Sequence, residues 1–198
     1  GNKVVKTKYW NYADSFRNKT KESESDIAEH VSYLLECSVK RRLVSDVPVG
    51  AFLSGGIDST SIVSIMKKHY SGDLHTFSVG FKEESYNENS DAENASKWIN
   101  TIHHSYLCDL SGGLDSINTA IDSFDEPFSD TSLIPTFEVS KLASQFVKVA
   151  LSGDGADELF AGYQTYKADK YYGFFKYFPN VIKVALSQLG QSFSNNQE

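Results

Sequence analysis

Two short stretches hold residues whose types and spacing could do chemistry. The first is Val49-Gly50-Ala51-Phe52-Leu53-Ser54-Gly55-Gly56-Ile57-Asp58-Ser59. Gly55 and Gly56 lack a Cβ, so backbone there can approach an anion closely. Ser54 and Ser59 add hydroxyl donors. Asp58 sets the chemistry apart, because a carboxylate beside an anion repels it unless a cation lies between. The combination points to a nucleotide phosphate carrying Mg²⁺. The second stretch is Ser152-Gly153-Asp154-Gly155-Ala156-Asp157-Glu158-Leu159-Phe160-Ala161-Gly162-Tyr163, in which Asp154, Asp157 and Glu158 crowd three carboxylates into five residues. Such a cluster repels itself unless solvated or metal-bound, although an acid at a helix start is favourable on its own.

The flanking residues read as elements that would hold these loops. The apolar run from Val47 to Leu53 is a buried strand, and Ser59 to Tyr70 is a helix with Ile62, Val63, Ile65 and Met66 on one face. Strand, glycine turn and helix together place free N–H groups and a helix N-terminus around an anion. Val147 to Leu151 is a second short strand leading into the acidic loop. Two Ser-Gly-acid loops at two strand ends predict one bipartite site at the carboxyl edge of a sheet. Elsewhere, residues 26 to 43 read as a helix capped by Asp26, with Ile27, Val31, Leu34 and Leu35 inward. A strand is expected over His75 to Phe81, a helix from Glu88 to Asn100 and a strand over His103 to Leu107. Leu114, Ile117, Ile121 and Phe124 form a helical stripe, and a further helix runs from Leu133 to Phe146. Strands spaced by helices imply an α/β fold, a doubly wound parallel sheet flanked by helices.

The first loop is not a Walker A loop, because no lysine follows its glycines, and it is not Gly-x-Gly-x-x-Gly. Ser-Gly-Gly-x-Asp-Ser resembles the pyrophosphate loop of the ATP pyrophosphatases, which split ATP between its α and β phosphates. With Leu-Ser-Gly-Asp-Gly-Ala-Asp-Glu-Leu-Phe-Ala-Gly-Tyr, the chain resembles the synthetase domain of the glutamine-hydrolysing asparagine synthetases. Further matches are His75-Thr76-Phe77-Ser78-Val79-Gly80-Phe81, Ile102-His103-His104 and Phe124-Asp125-Glu126-Pro127-Phe128-Ser129-Asp130. The resemblance spans roughly residues 25 to 170, and the second motif is the more specific.

The resemblance implies an adenine nucleotide α-hydrolase-like fold and a chemistry. Aspartate would be activated by ATP to β-aspartyl-AMP, pyrophosphate would leave, and ammonia would give asparagine and AMP. By the same likeness Leu53, Val79 and Gly80 would meet the nucleoside, and Ser54, Gly55, Gly56 and Ser59 would form the phosphate loop. Ser152, Gly153 and Tyr163 would help hold ATP. Asp58 and Asp157 would hold Mg²⁺-pyrophosphate. Asp154 stands where many members have glutamate, a group that helps form the intermediate and deprotonate ammonia, so its shorter reach changes the geometry. Asp58, Asp154 and Asp157 are thus the expected catalytic residues. Position 1 is glycine where the family's glutaminase domain has a cysteine nucleophile, and the family's later Arg-x-Pro-Phe-Leu-Asp segment is not among these 198 residues. The chain is therefore expected to be an ATP-binding core that makes little asparagine alone. Its divisions are an arm or linker over 1–24, the partial synthetase domain over 25–187 and a polar tail over 188–198. Two other readings remain open: another carboxylate-adenylating relative such as a β-lactam synthetase, and a non-catalytic ATP-binding module.

Composition bounds these readings. Hydrophobic residues make up 40% of the chain, enough for a core. A net charge of −7 argues against a partner that offers a phosphate backbone. No apolar run has the length of a membrane span, no signal peptide is seen, and the expected location is the cytoplasm. The expected partners are small molecules: ATP, aspartate and ammonia from a glutaminase domain. Neither nucleic acid nor membrane is expected, and the likeness leaves room for a homodimer of a full-length form. Cys37 and Cys108 read as thiols. His103-His104 invites a metal reading, but neighbours on a strand point to opposite faces. The aromatic stretch Tyr163, Tyr166, Tyr171, Tyr172, Phe174, Phe175, Tyr177 and Phe178, interleaved with Lys167, Lys170 and Lys176, is best explained as apolar surface that other parts of a larger protein cover.

Overall fold

A computed structural model describes residues 4–81, 89–108, 113–126, 130, 132–175 and 177–179. The element order is α1 (Tyr12–Arg17), α2 (Glu24–Arg42), β1 (Val49–Phe52), α3 (Ile57–His69), β2 (His75–Phe81), α4 (Asn89–Ile99), β3 (Ile102–Cys108), α5 (Gly113–Asp122), α6 (Leu133–Ala143), β4 (Val149–Leu151), α7 (Ala156–Phe160) and α8 (Gln164–Phe175). The four strands form one sheet in the order β3-β2-β1-β4. All three pairings are parallel, with Ala51 opposite Thr76 and Leu151, and Phe77 opposite His104.

Strand alternation builds two layers of core. Val49, Ala51 and Leu53 point to one face, where they pack with Val39 of α2, Val63 and Met66 of α3, and Ile99 of α4. Phe52 and Phe77 point to the other face, against Val139, Leu142 and Ala143 of α6 and Val147 beyond it. Helices therefore cover both faces, as a parallel sheet requires. His103 and His104 obey the same alternation. His103 joins Thr76 and Ser78 on the α4 face, while His104 stacks between Phe77 and Phe146 and meets the His75 Nδ1 at 2.9 Å. The two histidines serve opposite layers and do not share a ligand.

Some local details differ from the sequence reading. Asp26 is not the cap of α2. Ser23 is, its Oγ accepting from the Asp26 N–H at 3.2 Å while donating to Asp26 Oδ2 at 2.7 Å. The N-cap thus lies three residues before Asp26, and Asp26 supplies the backbone N–H that Ser23 caps. Ile27 and Leu34 are exposed, at 37% and 53%, because the inward face of α2 is set by Val39 and the half-buried Val31 and Leu35. Ile121 is also exposed at 53%, so the stripe it belongs to is not buried along its length. The side chains of Leu114 and Ile117 lie outside the described residues, as do residue 88, the segment 127–129 and the tail over 188–198. Tyr163, Tyr166, Tyr172, Tyr177 and Phe178 are exposed, consistent with an apolar surface. Cys37 is half-buried, Cys108 is buried, and no disulfide joins them. Among the described residues no helix is long and apolar enough to cross a membrane.

Gly55 has a packing duty that the sequence reading assigned to phosphate approach alone. Its φ is +85°, a region that costs an L-residue about 1–2 kcal/mol. A Cβ there would also lie 2.5 Å from the carbonyl carbon of Asp91 and 2.7 Å from the Ala92 nitrogen, both in the backbone of α4. The first glycine of the loop thus lets α4 close over it. Gly56 has φ −66° and a Cβ there would meet only the Ser54 Oγ at 3.3 Å. Gly55→Ala should therefore lower Tm by several degrees, while Gly56→Ala should stay within about 0.5 kcal/mol of the parent. Thermal melts of the two variants without ligand check this, and equal melting temperatures would contradict it.

Burial lowers the proton affinity of both His103 and His104, with a smaller opposing pull on His103 from Glu93 and further lowering of His104 by His75. A base with a depressed folded pKa binds fewer protons folded than unfolded. Stability then rises with pH across the interval between the folded value and the ordinary imidazole value near 6.5. Denaturant midpoints should accordingly drop as pH falls from about 7 through 6.5 and below, and His104→Phe, which keeps the stack, should reduce that drop.

Candidate functional site

The first loop is held together mostly by its own polar groups. Ser59 sits in the first turn of α3 and is buried. Its Oγ accepts from the Ser54 N–H at 3.2 Å and donates to the Gly56 carbonyl at 3.3 Å. With that hydrogen used, the Ser54 hydroxyl donates to Ser59 Oγ at 3.0 Å, and its oxygen accepts from the Gly56 N–H at 3.3 Å. The two serines, expected as donors to an anion, spend their hydrogens shaping the loop. Anion attraction is left to the first N–H groups of α3, which have no intrahelical acceptor.

The second loop leans directly on the first. A Cβ at Gly153 would lie 2.9 Å from the Ser59 nitrogen and 3.1 Å from the Asp58 carbonyl carbon. Only glycine lets the chain after β4 cross the first turn of α3 at that distance. Ser152 Oγ donates to Asp154 Oδ2 at 2.9 Å, which holds that carboxylate at the turn. Gly155, at φ +88°, then starts α7, which places Asp157 and Glu158 in its first turn. The chain closes back when the Gly162 N–H donates to the Asp157 carbonyl at 3.0 Å. Tyr163 OH donates to Glu158 Oε1 at 2.8 Å. That bond is the main reason the phenol's pKa is pushed up to about 12, with slight burial and the charges of Glu158 and Asp157 adding to it. The tyrosine stays protonated and keeps Glu158 turned toward it.

One cavity of about 280 Å³ results, lined among others by Ser54, Asp58, Ser59, Ser152, Gly153, Asp154, Asp157 and Tyr163. It lies where β1 and β4 end side by side, the place at which a doubly wound sheet opens a crevice. Asp58 and Asp157 come from different loops and face the same space. Among the described residues no lysine or arginine forms an ion pair with this acidic set. No group of three or more His, Cys, Asp or Glu side chains among them is placed to hold a metal unaided. Two carboxylates that face a phosphate-sized space suit a small hard cation that takes its remaining ligands from phosphate oxygens and water.

A second cavity of about 240 Å³ adjoins it across Phe52 and Ser54. Its walls are mostly apolar: Leu53, Phe77, Val79, Pro135 and Val139, with Ser78, Asn89, Ser132 and Thr136 adding polar groups. Leu53 and Val79, expected to meet the nucleoside, both line this cavity. Gly80 lines neither cavity; it pairs with Leu107 inside the sheet. Gly55 and Gly56 also line neither. Sequence reading missed Phe52, which divides the two cavities, and the α6 wall from Ser132 to Val139. Alternation along β1 could have marked Phe52; nothing local marks the α6 wall, which is brought to the site by the return crossing of the chain over the sheet.

The model of the asparagine synthase family matches residues 30–197. A putative glutamine-hydrolysing asparagine synthetase 2 of Methanocaldococcus jannaschii is 38% identical over 94% of this chain and 36% of its own length. The glutamine-hydrolysing asparagine synthetase 1 of Bacillus subtilis is 37% identical over 82% of this chain and 26% of its own. The chain therefore spans about a third or less of these relatives. A solved NH3-dependent NAD synthetase of Campylobacter jejuni aligns with 68% of this chain and 60% of its own at 16% identity and a TM-score of 0.47. With the two loops, the parallel sheet and a family match over most of its residues, the chain belongs to the asparagine synthase family.

Proposed function

We propose that this chain is the ATP-binding core of an enzyme that converts aspartate to asparagine. The observation that carries the reading is the seating of Gly153 on the Asp58–Ser59 backbone, which joins a phosphate-type loop and an acidic loop into one cavity. The relatives' names give asparagine as the product, and the family resemblance implies aspartate as the acid that becomes it. The triphosphate lies in the polar cavity against the start of α3, and the nucleoside lies in the apolar cavity between Leu53 and Val79 of the sheet edge and the α6 wall.

The chemistry follows from the leaving groups. A carboxylate oxygen is a poor one, and AMP is a good one. An aspartate side-chain oxygen attacks the α-phosphorus, the α–β bridging bond breaks, and pyrophosphate departs. Ammonia then attacks the acyl carbon, loses a proton, and expels AMP. Asp58 and Asp157 would hold Mg²⁺, which when bound neutralises charge on the phosphates and departing pyrophosphate. Asp154, held by Ser152, lines the same cavity and would take the proton from the attacking ammonia. Tyr163 steadies Glu158 beside the pair of Mg²⁺-binding acids.

Asp58→Ala should weaken ATP binding by about tenfold or more with Mg²⁺ present, about 1.4 kcal/mol, and by much less in EDTA. Calorimetric titration in the two conditions checks this, and equal losses would remove the metal role. In the whole enzyme with ammonia supplied, aspartate-dependent pyrophosphate release should fall by about 10²-fold or more in Asp154→Asn, since a proton-transfer group contributes about 10²–10⁴. Release that does not depend on aspartate, or that follows another carboxylic acid better, would move the reading to a different adenylating enzyme.

A further inference from the structure

The acids of the second loop are not all held in the same way. Asp154 is bonded by Ser152, and Glu158 is bonded by Tyr163. Asp157 lines the polar cavity with Asp58, yet among the described residues no hydrogen bond or ion pair reaches its carboxylate. Its main chain is fixed more firmly. The Asp157 carbonyl accepts from the Ala161 N–H, as at an ordinary helix end, and again from the Gly162 N–H at 3.0 Å. The second bond needs a sharp return of the chain. Ala161 supplies it at φ +57°, in the left-handed region where an L-residue is strained. The chain is thereby laid back against the acid it has just left.

That return brings the Gly162 backbone onto the Asp157 side chain. A Cβ on Gly162 would collide with Asp157 Oδ1 and would lie 3.0 Å from its Cγ and 3.3 Å from its Cα. Oδ1 thus occupies the space that a side chain at 162 would need. Turning the carboxylate about its Cβ–Cγ bond would move the oxygens but leave Cγ at 3.0 Å, short of the roughly 3.5–4.0 Å at which carbons pack well. A swing about χ1 clears the contact, and χ1 offers a few staggered wells with no small step between them. A methyl at 162 would therefore carry the whole carboxylate away from its present place. The same methyl should disturb the fold little. Gly162 is exposed and its φ lies outside the left-handed region, so its backbone is open to an L-residue. The atom in the way is the free end of a half-buried side chain.

We propose that Gly162 is a positioning residue that, by lacking a side chain, seats the Asp157 carboxylate in the polar cavity where it can share a cation with Asp58. Gly153 sets how near the two loops come; Gly162 sets the rotamer of one acid. A residue that orients a metal ligand from behind typically changes metal affinity by about 10–100-fold when altered. The inference rests on the Mg²⁺-nucleotide reading above, because the carboxylate needs a cation to hold.

The test is calorimetric titration of ATP into the whole enzyme, with Mg²⁺ and in EDTA, joined to thermal melts without ligand. Gly162→Ala should weaken ATP binding by about tenfold or more with Mg²⁺ present and much less in EDTA, with Tm within about 3 °C of the parent. Ala161→Gly, which takes a Cβ off the neighbouring strained position, should leave the Mg²⁺-dependent affinity unchanged. In an Asp157→Ala background, Gly162→Ala should add no further loss, because the glycine acts through that carboxylate. Full Mg²⁺-dependent affinity in Gly162→Ala overturns the proposal and leaves the Mg²⁺ reading standing. A larger fall in Tm, equal losses with Mg²⁺ and in EDTA, or an additive loss in the double variant makes the glycine structural, which also overturns it. A parent enzyme that binds ATP no better with Mg²⁺ than in EDTA, or an Asp157→Ala variant that binds as the parent does, overturns the Mg²⁺ reading and the proposal with it.

Discussion

Everything at this site depends on how closely two loops can approach each other. β1 and β4 are hydrogen-bonded neighbours, although about a hundred residues separate them in sequence, from Val49 to Val149. Their carboxyl ends therefore deliver both loops to one point. What turns proximity into a site is the missing side chain at Gly153, which allows its backbone to rest on the first turn of α3. Any Cβ there would lift the acidic loop away from the helix start and move Asp154 and Asp157 out of register with Asp58. Catalysis by positioning is sensitive to shifts of about 1 Å. The glycine thus acts on geometry.

A second constraint lies on the other side of the first loop. Gly55 at positive φ lets the backbone of α4 close over the turn. The loop is consequently clamped between α4 and the β4 loop, and its serines tie it internally. Such over-determination suits electrostatic work. Dipoles that are already fixed need not reorganise when charge builds on a phosphate. On the proposed reading the labour divides: neutral groups shape the loop, the start of α3 would attract the anion, and acids from the two motifs would supply the place for a cation.

The sheet also separates two tasks by alternation. Leu53 closes the α2–α3–α4 layer while Phe52, one residue earlier, joins the α6 layer and divides the two cavities. His103 and His104 are split in the same way. One is threaded into a hydroxyl network that reaches the apolar cavity, and the other is stacked among aromatics that hold α6 down.

Much of this was legible in the residues themselves. Local chemistry determined the strand–turn–helix units, because apolar runs, glycine breaks and 3.6-residue periodicity act over short distances. The two Ser-Gly-acid loops and their family likeness are likewise local signals. The parallel sheet followed from alternating strands and helices. Other features were decided only in three dimensions. The exposed Ile27, Leu34 and Ile121 look like core in a one-dimensional pattern, yet burial depends on which neighbour arrives to cover them. The role of Gly55 depends on α4, the role of Gly153 on α3, and the α6 wall of the apolar cavity on a chain crossing that no short pattern encodes. The fate of the Ser54 and Ser59 hydrogens also needed the folded loop, since a hydroxyl can donate only once and geometry decides where. Sequence determined which groups are present and on which kind of element; tertiary packing decided which of them hold one another and which remain turned toward the cavities.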